Sequence, residues 1–98
     1  MFRPGSRPPA QWLRTGQEWP EGKLQSDAPI EAIRTQLFAR ALAGAMAERG
    51  LSGRQAAGVC GVDQRTVSRL LTGASYPDIA TLARMEAGLD RQLWIESE

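Results

Sequence analysis

Residues 51–73 read LSGRQAAGVCGVDQRTVSRLLTG, two short helical segments joined by one glycine-bearing turn. Ala56, Ala57 and Cys60 recur at helical spacing on the first segment, and Val62, Val67, Leu70 and Leu71 give the second its apolar stripe. Helices that cross steeply after a turn of a few residues approach closely. The first therefore needs a small residue at the crossing, and the turn needs a backbone with positive φ. Ala57 and Gly61 meet those demands. Asp63 stands where an N-cap belongs, its carboxylate within reach of the free amides of Arg65 or Thr66, so the pattern predicts a helix beginning just after it. Gly73 closes that helix, with Pro77 shortly beyond.

Working outward, Asp27 is placed to cap a long helix with Pro29 and Glu31 in its first turn. Ile30, Ile33, Leu37, Leu42, Ala45 and Met46 keep one apolar face, Phe38 and Ala41 widen it, and Gly50 is the stop. Gly44 costs about 1 kcal/mol against alanine in a helix interior, which points to a close helix approach there. Downstream, Asp78 is placed to cap a fourth helix whose Ile79, Leu82, Ala83 and Met85 face the core and which ends near Gly88. Leu89, Leu93, Trp94 and Ile95 form a last apolar cluster, read either as a subunit contact or as the closure of the core. The expected architecture is all-α, a compact bundle of four to five helices over residues 28–98, with the motif at 52–72 and a proline-rich N-terminal extension over 1–27.

That extension is broken by Pro4, Pro8, Pro9, Pro20 and Pro29 with Gly5, Gly16 and Gly22 between them, so no continuous helix is expected before Asp27. Trp12, Leu13 and Trp19 are a high apolar content for a free tail. The extension reads as an arm folded back over the core, as a dimerisation or protein-partner segment over residues 1–26, or as a basic arm whose Arg3, Arg7 and Arg14 track phosphates or enter a minor groove.

With these residues in view, the chain resembles the Cro and phage-repressor family, the XRE type of helix-turn-helix, over roughly Glu31 to Leu89. Leu51-Ser52, Ala57, Gly61-Val62, Thr66-Val67-Ser68-Arg69-Leu70, Gly73, and Tyr76-Pro77 leading to Ile79 and Leu82 carry the likeness. Gly53 departs from it, standing where a phosphate-reaching glutamine is common, and so does Ala56, which replaces a larger aliphatic residue. The resemblance implies a lambda-repressor-like fold and a sequence-specific double-stranded DNA-binding regulator, most simply a repressor. Antitoxins and mobile-element regulators, which work chiefly through a protein partner, belong to the same family and form the alternative. A purely protein-binding module that no longer binds DNA is a further alternative, supported by Gly53 and the low net charge.

Composition narrows the field. A chain of 98 residues supports one domain with an appendage. No run approaches the ~18 apolar residues of a membrane span, and residues 1–10, MFRPGSRPPA, lack a signal-peptide core, so a cytoplasmic protein is expected, and the resemblance implies a nucleoid-associated one of bacterial or phage origin. The single cysteine, Cys60, forms no internal disulfide and reads as a small buried hydrophobe. Histidine is absent, which excludes Cys/His zinc sites, histidine-activated nucleophiles and imidazole acid–base chemistry. Asp78, Glu86, Asp90, Glu96 and Glu98 are scattered on what read as solvent faces, and Gly58 and Gly61 follow no strand and precede no lysine. No enzyme activity, cofactor or metal is expected.

The net charge of +1 is unevenly spread. From Arg34 to Arg69, six arginines (Arg34, Arg40, Arg49, Arg54, Arg65, Arg69) face only Glu48 and Asp63, a balance of +4, whereas residues 70–98 carry −3. A B-DNA major groove admits one α-helix, whose first turns touch base edges. With Val67, Leu70 and Leu71 pointing inward, Gln64, Arg65, Ser68 and Arg69 are left on the outer side. Glutamine pairs bidentately with adenine and arginine with guanine. The resemblance places Gln64, Arg65 and Arg69 at base-reading positions and Thr66 at a phosphate. Ser52, Arg54 and Gln55, at the positive end of the first motif helix, are the further phosphate candidates. One such helix reads only a few base pairs, so a homodimer on a palindromic site is expected.

Overall fold

Short-range chemistry sets most of the helix boundaries. The computed structural model of the chain describes residues 7–94 and contains α1 (Ile30–Arg49), α2 (Gly53–Cys60), α3 (Gln64–Thr72) and α4 (Ile79–Leu89), preceded by a 3-10 turn at Pro9–Trp12. The expectations placed on Arg3, Pro4, Gly5, Ile95, Glu96 and Glu98 lie outside the described residues. No named strand occurs among those described, only an isolated antiparallel bridge between Leu13 and Leu24.

Asp63 accepts from the Arg65 amide at 2.7 Å and Asp78 from the Thr81 amide at 2.7 Å, satisfying first-turn donors that would otherwise lack partners. Gly50, Gly61 and Gly73 close their helices with φ of 64°, 70° and 73°. The start of α1 differs from the expectation. Pro29, not Asp27, is its N-cap, with no side-chain cap, and the Pro29 carbonyl accepts from Ala32 and Ile33. Asp27 stands two residues before that cap and supplies no cap bond. α4 also runs past Gly88 to Leu89 and turns at Asp90, whose φ of 52° is tolerated because a short polar side chain suits the left-handed region.

The core is built from Phe38, Leu42, Val67, Leu70, Met85, Leu89 and Leu93, with the small residues Ala45, Ala56, Ala57 and Cys60 between them. α2 packs on both α3 and α4, while α1 packs on α3 and on the 3-10 turn. Because α1 is covered on two sides, its buried set is wider than one stripe. Ala32, Thr35, Gln36 and Ala39 are buried together with Phe38, Leu42, Ala45 and Met46, whereas Ile33 and Leu37 are half-buried and Ile30 is 57% exposed. On α4 the core-facing residues are Leu82, Met85 and Leu89. Ile79, expected inside, is 83% exposed, and Ala83 is exposed as well, since both lie on the helix face turned from α2.

Within the described residues the last apolar cluster closes the core, with Trp94 left half-buried. Leu93 is fully buried, and Trp94 tilts against Phe38 with ring centroids 6.0 Å apart. Glu86 fastens this segment, one carboxylate oxygen accepting from the Leu93 amide at 2.8 Å and the Trp94 amide at 3.0 Å. It is therefore a structural anchor and not part of a solvent face. Arg49 donates to the Leu89 carbonyl at 2.6 Å, and Arg91 pairs with Glu48 at 2.6 Å, tying the end of α1 to the end of α4.

Close helix approach occurs at Gly88, not at Gly44. A Cβ on Gly44 would meet nothing within 4 Å, but one on Gly88 would lie 2.7 Å from the Cys60 Cα and 2.7 Å from the Val59 carbonyl oxygen. Those are backbone atoms of α2 and cannot swing aside. Gly44→Ala is expected to stabilise the chain by roughly 0.5–1 kcal/mol through helix propensity. Gly88→Ala is expected to destabilise it by about 1–3 kcal/mol through overpacking, and urea unfolding of the pair checks both signs.

Two carboxyls give stability an acid limb. The amide and then the hydroxyl of Thr81 hold Asp78 below the usual carboxylate range, and hydrogen bonding and charge from Arg91 do the same for Glu48. A folded value below the unfolded one gives stability that is present above the unfolded value, about 4, and is lost as pH falls through the depressed value. The urea midpoint of the native chain is expected to drop between about pH 5 and pH 2. Asp78→Asn combined with Glu48→Gln should flatten that slope while leaving a folded protein at neutral pH.

Candidate nucleic-acid interface

Helix periodicity divides α3 between core and solvent. Val67 and Leu70 are buried and Leu71 is half-buried, while Gln64, Arg65, Ser68 and Arg69 are all exposed along one ridge. Asp63 starts the helix and Gly73 ends it, so the ridge sits on a helix fixed at both ends. Thr66 lies half-buried at the flank, its amide bonded to the Asp63 carbonyl at 2.9 Å.

Ser52, Arg54 and Gln55 are exposed in the first turn of α2. Ser52 and Gln55 form a capping box. The Gln55 amide donates to the Ser52 hydroxyl oxygen at 3.1 Å, and the Ser52 amide donates to Gln55 Oε1 at 2.8 Å. Ser-x-x-Gln at residues 52–55 is the sequence signal for this box, overlooked when the two residues are read only as phosphate contacts. The box still leaves the Ser52 O–H and the Gln55 NH2 able to donate outward, beside the positive end of α2. Gly53 is unconstrained by packing, since a Cβ there would meet nothing within 4 Å.

The positive charge is more concentrated than the sequence count suggests. Arg40 donates to the Pro20 carbonyl at 2.8 Å and the Glu21 carbonyl at 3.2 Å, and Arg49 is held by Leu89. Arg34 turns its Nε into the protein, where it is buried with no hydrogen-bond partner. Only Arg54, Arg65 and Arg69 of the six stand on the α2–α3 face. Arg65 lies 3.9 Å from Asp63 with both side chains largely in water, a contact too weak to compete with a phosphate or a base. Arg54 and Arg69 carry no ion pair among the described residues.

The extension folds back on the protein over its described part. Ala10 donates to the Gly73 carbonyl at 2.9 Å, Trp19 Nε1 to the Leu70 carbonyl at 3.0 Å, and the Tyr76 hydroxyl to the Arg7 carbonyl at 3.1 Å. These contacts lie at the C-terminal end of α3 and leave its first turns open. Arg7 stacks over Trp12 at 3.9 Å and donates to the Gln11 carbonyl, while Arg14 donates to the Leu24 carbonyl. Both guanidinium groups are thus engaged within the extension. Sequence reasoning placed none of these anchors, because each joins residues far apart in the chain.

Little else among the described residues offers chemistry. Burial pushes the Cys60 thiol up, against a smaller opposing effect of Arg49, which suits packing and not nucleophilic attack. Among the described residues no group of His, Cys, Asp or Glu could hold a metal ion, and no helix is long and apolar enough to cross a membrane.

A family model described as a helix-turn-helix domain matches residues 37–92, which takes in α1 from Leu37 onward, α2, α3 and α4, and stops just short of Leu93 and Trp94. Neither a curated protein nor a solved structure matches the chain at a significant level. The match covers more than half of the chain and all of the exposed ridge, and the chain belongs to the helix-turn-helix domain family.

Proposed function

We propose that the chain is a sequence-specific double-stranded DNA-binding regulator of the Cro and phage-repressor type, a repressor that inserts α3 into the major groove as a homodimer on a palindromic site. The observation that carries this reading is the ridge of Gln64, Arg65, Ser68 and Arg69, solvent-exposed on a helix whose opposite side is locked into the core by Val67 and Leu70. The backbone beneath the ridge is already ordered before docking, and the ridge's amide and guanidinium groups match the donor and acceptor pattern of adenine and guanine.

Roles follow from position. Gln64, Arg65, Ser68 and Arg69 address base edges. Ser52, Arg54, Gln55 and Thr66 fix the register by donating to phosphates on either side, aided by the free amides at the start of α2. Binding near the DNA places the protein with the nucleoid. The alternative is a regulator that works mainly through a protein gripped by residues 1–26, an extension bonded to α1 and α3 along its described part.

The test is a fluorescence titration against the duplex that the native chain selects from a random-sequence pool, beside a scrambled duplex of equal composition. Arg65→Ala and Arg69→Ala are each expected to cost about 1–3 kcal/mol of discrimination with helicity unchanged. Unchanged discrimination in both would remove α3 as the reading element. Arg54→Ala is expected to weaken both duplexes alike and to lower the slope of log K against log salt by about 0.9.

A further inference from the structure

Two backbone carbonyls at the end of α3 show how the proline-rich extension relates to the reading helix. The Leu70 carbonyl, in the last turn of α3, accepts from the Trp19 indole N–H at 3.0 Å and only loosely, at 3.4 Å, from the Gly73 amide. The Gly73 carbonyl, immediately after the helix, accepts from Ala10 at 2.9 Å. The Trp19 ring and the Ala10 methyl also fill the space over Gly73, where an added Cβ would fall 2.7 Å from each. Across from these contacts the same extension is fastened to α1. Gln36, buried, donates to the Gly22 carbonyl at 2.6 Å, and Arg40 donates to the Pro20 carbonyl at 2.8 Å. The Leu13–Leu24 bridge and the bond from the Arg14 amide to the Lys23 carbonyl at 2.9 Å hold its two limbs together.

We infer that the extension is a strap that fixes the C-terminal end of α3 against α1, and that Trp19 is a positioning residue for sequence discrimination although it touches no DNA. The inference rests on the proposed reading of DNA by α3. A nine-residue helix ends in carbonyls with no helical partner, and its last turn frays unless something outside the helix supplies donors. Trp19 supplies one of them, to the Leu70 carbonyl, from far away in the chain, and Ala10 pins the Gly73 cap just beyond the helix. Fixing that end sets the angle at which Gln64, Arg65, Ser68 and Arg69 present themselves, and bidentate base contacts depend on that angle far more than phosphate contacts do. The strap is therefore expected to govern selectivity more than overall DNA affinity.

The test uses the full chain and Trp19→Phe, which removes the N–H donor while keeping an aromatic ring over Gly73. Tyr76→Phe, which removes the hydroxyl bonded to the Arg7 carbonyl, serves as a milder second variant, and Leu82→Ala as a control that destabilises α4 without touching the strap. Amide hydrogen exchange at Leu70 to Ala74 is expected to quicken about two- to tenfold in Trp19→Phe, the equivalent of one net hydrogen bond. Discrimination between the selected and scrambled duplexes should fall by a similar factor, while affinity for the scrambled duplex and its salt slope stay unchanged. Tyr76→Phe should move in the same direction by less, and Leu82→Ala should keep full discrimination. Unchanged exchange at 70–74, or faster exchange with discrimination intact, would overturn the inference, as would an equal loss of discrimination in Leu82→Ala. If the native chain selects no duplex, the DNA reading fails and the selectivity role with it. The exchange result then stands as a separate answer on whether the strap holds α3.

Discussion

The structure depends on how closely the eight-residue α2 can be approached from both sides. A helix that short has no stability of its own in water, so its position comes entirely from its neighbours. Ala56, Ala57 and Cys60 give it a shallow buried face, and Gly88 lets α4 reach the backbone at Val59 and Cys60. Gly61, with a φ of 70°, then turns the chain sharply enough for α3 to cross it. Were Ala56, Ala57 or Gly88 larger, α2 would be pushed outward and the angle between α2 and α3 would change with it, whereas a side chain at Gly61 would strain the turn itself. That angle positions the exposed ridge relative to the first turn of α2.

Around this centre the charges divide between holding the fold and facing solvent. Arg40, Arg49 and Arg91 bond to backbone carbonyls or to Glu48, and Glu86 accepts from two amides, so these charges fasten the extension and the C-terminal segment to the helices. Arg54, Arg65 and Arg69 are left on the α2–α3 face. A weakly basic chain can thus present a locally basic surface, which matters because the short-range field at a phosphate counts for more than net charge once salt has screened the rest.

What could be read from the sequence was what is decided within a few residues. Asp63 and Asp78 as caps, Gly50, Gly61 and Gly73 as stops, and the inward set of Val67 and Leu70 all follow from local spacing, and they delimit α2 and α3 almost to the residue. Features decided between distant segments were not legible. Gly44 and Gly88 are both glycines inside helices, yet only the partner helix distinguishes an open position from a crowded one. The exposed Ile79, the anchoring role of Glu86 and the docking of Trp19 on Leu70 likewise depend on which element lies opposite. Asp27 failed as a cap for a local reason, since Pro29 takes the N-cap position itself.

The central claim is that the outer ridge of α3, together with the first turn of α2, is the surface that meets DNA. Amide chemical-shift mapping during titration with the selected duplex addresses it most directly. The largest perturbations are expected at residues 52–55 and 64–69, with the outer face of α4 silent. Perturbations centred on Ile79, Ala83 and the rest of that α4 face, with residues 64–69 unmoved, would contradict it.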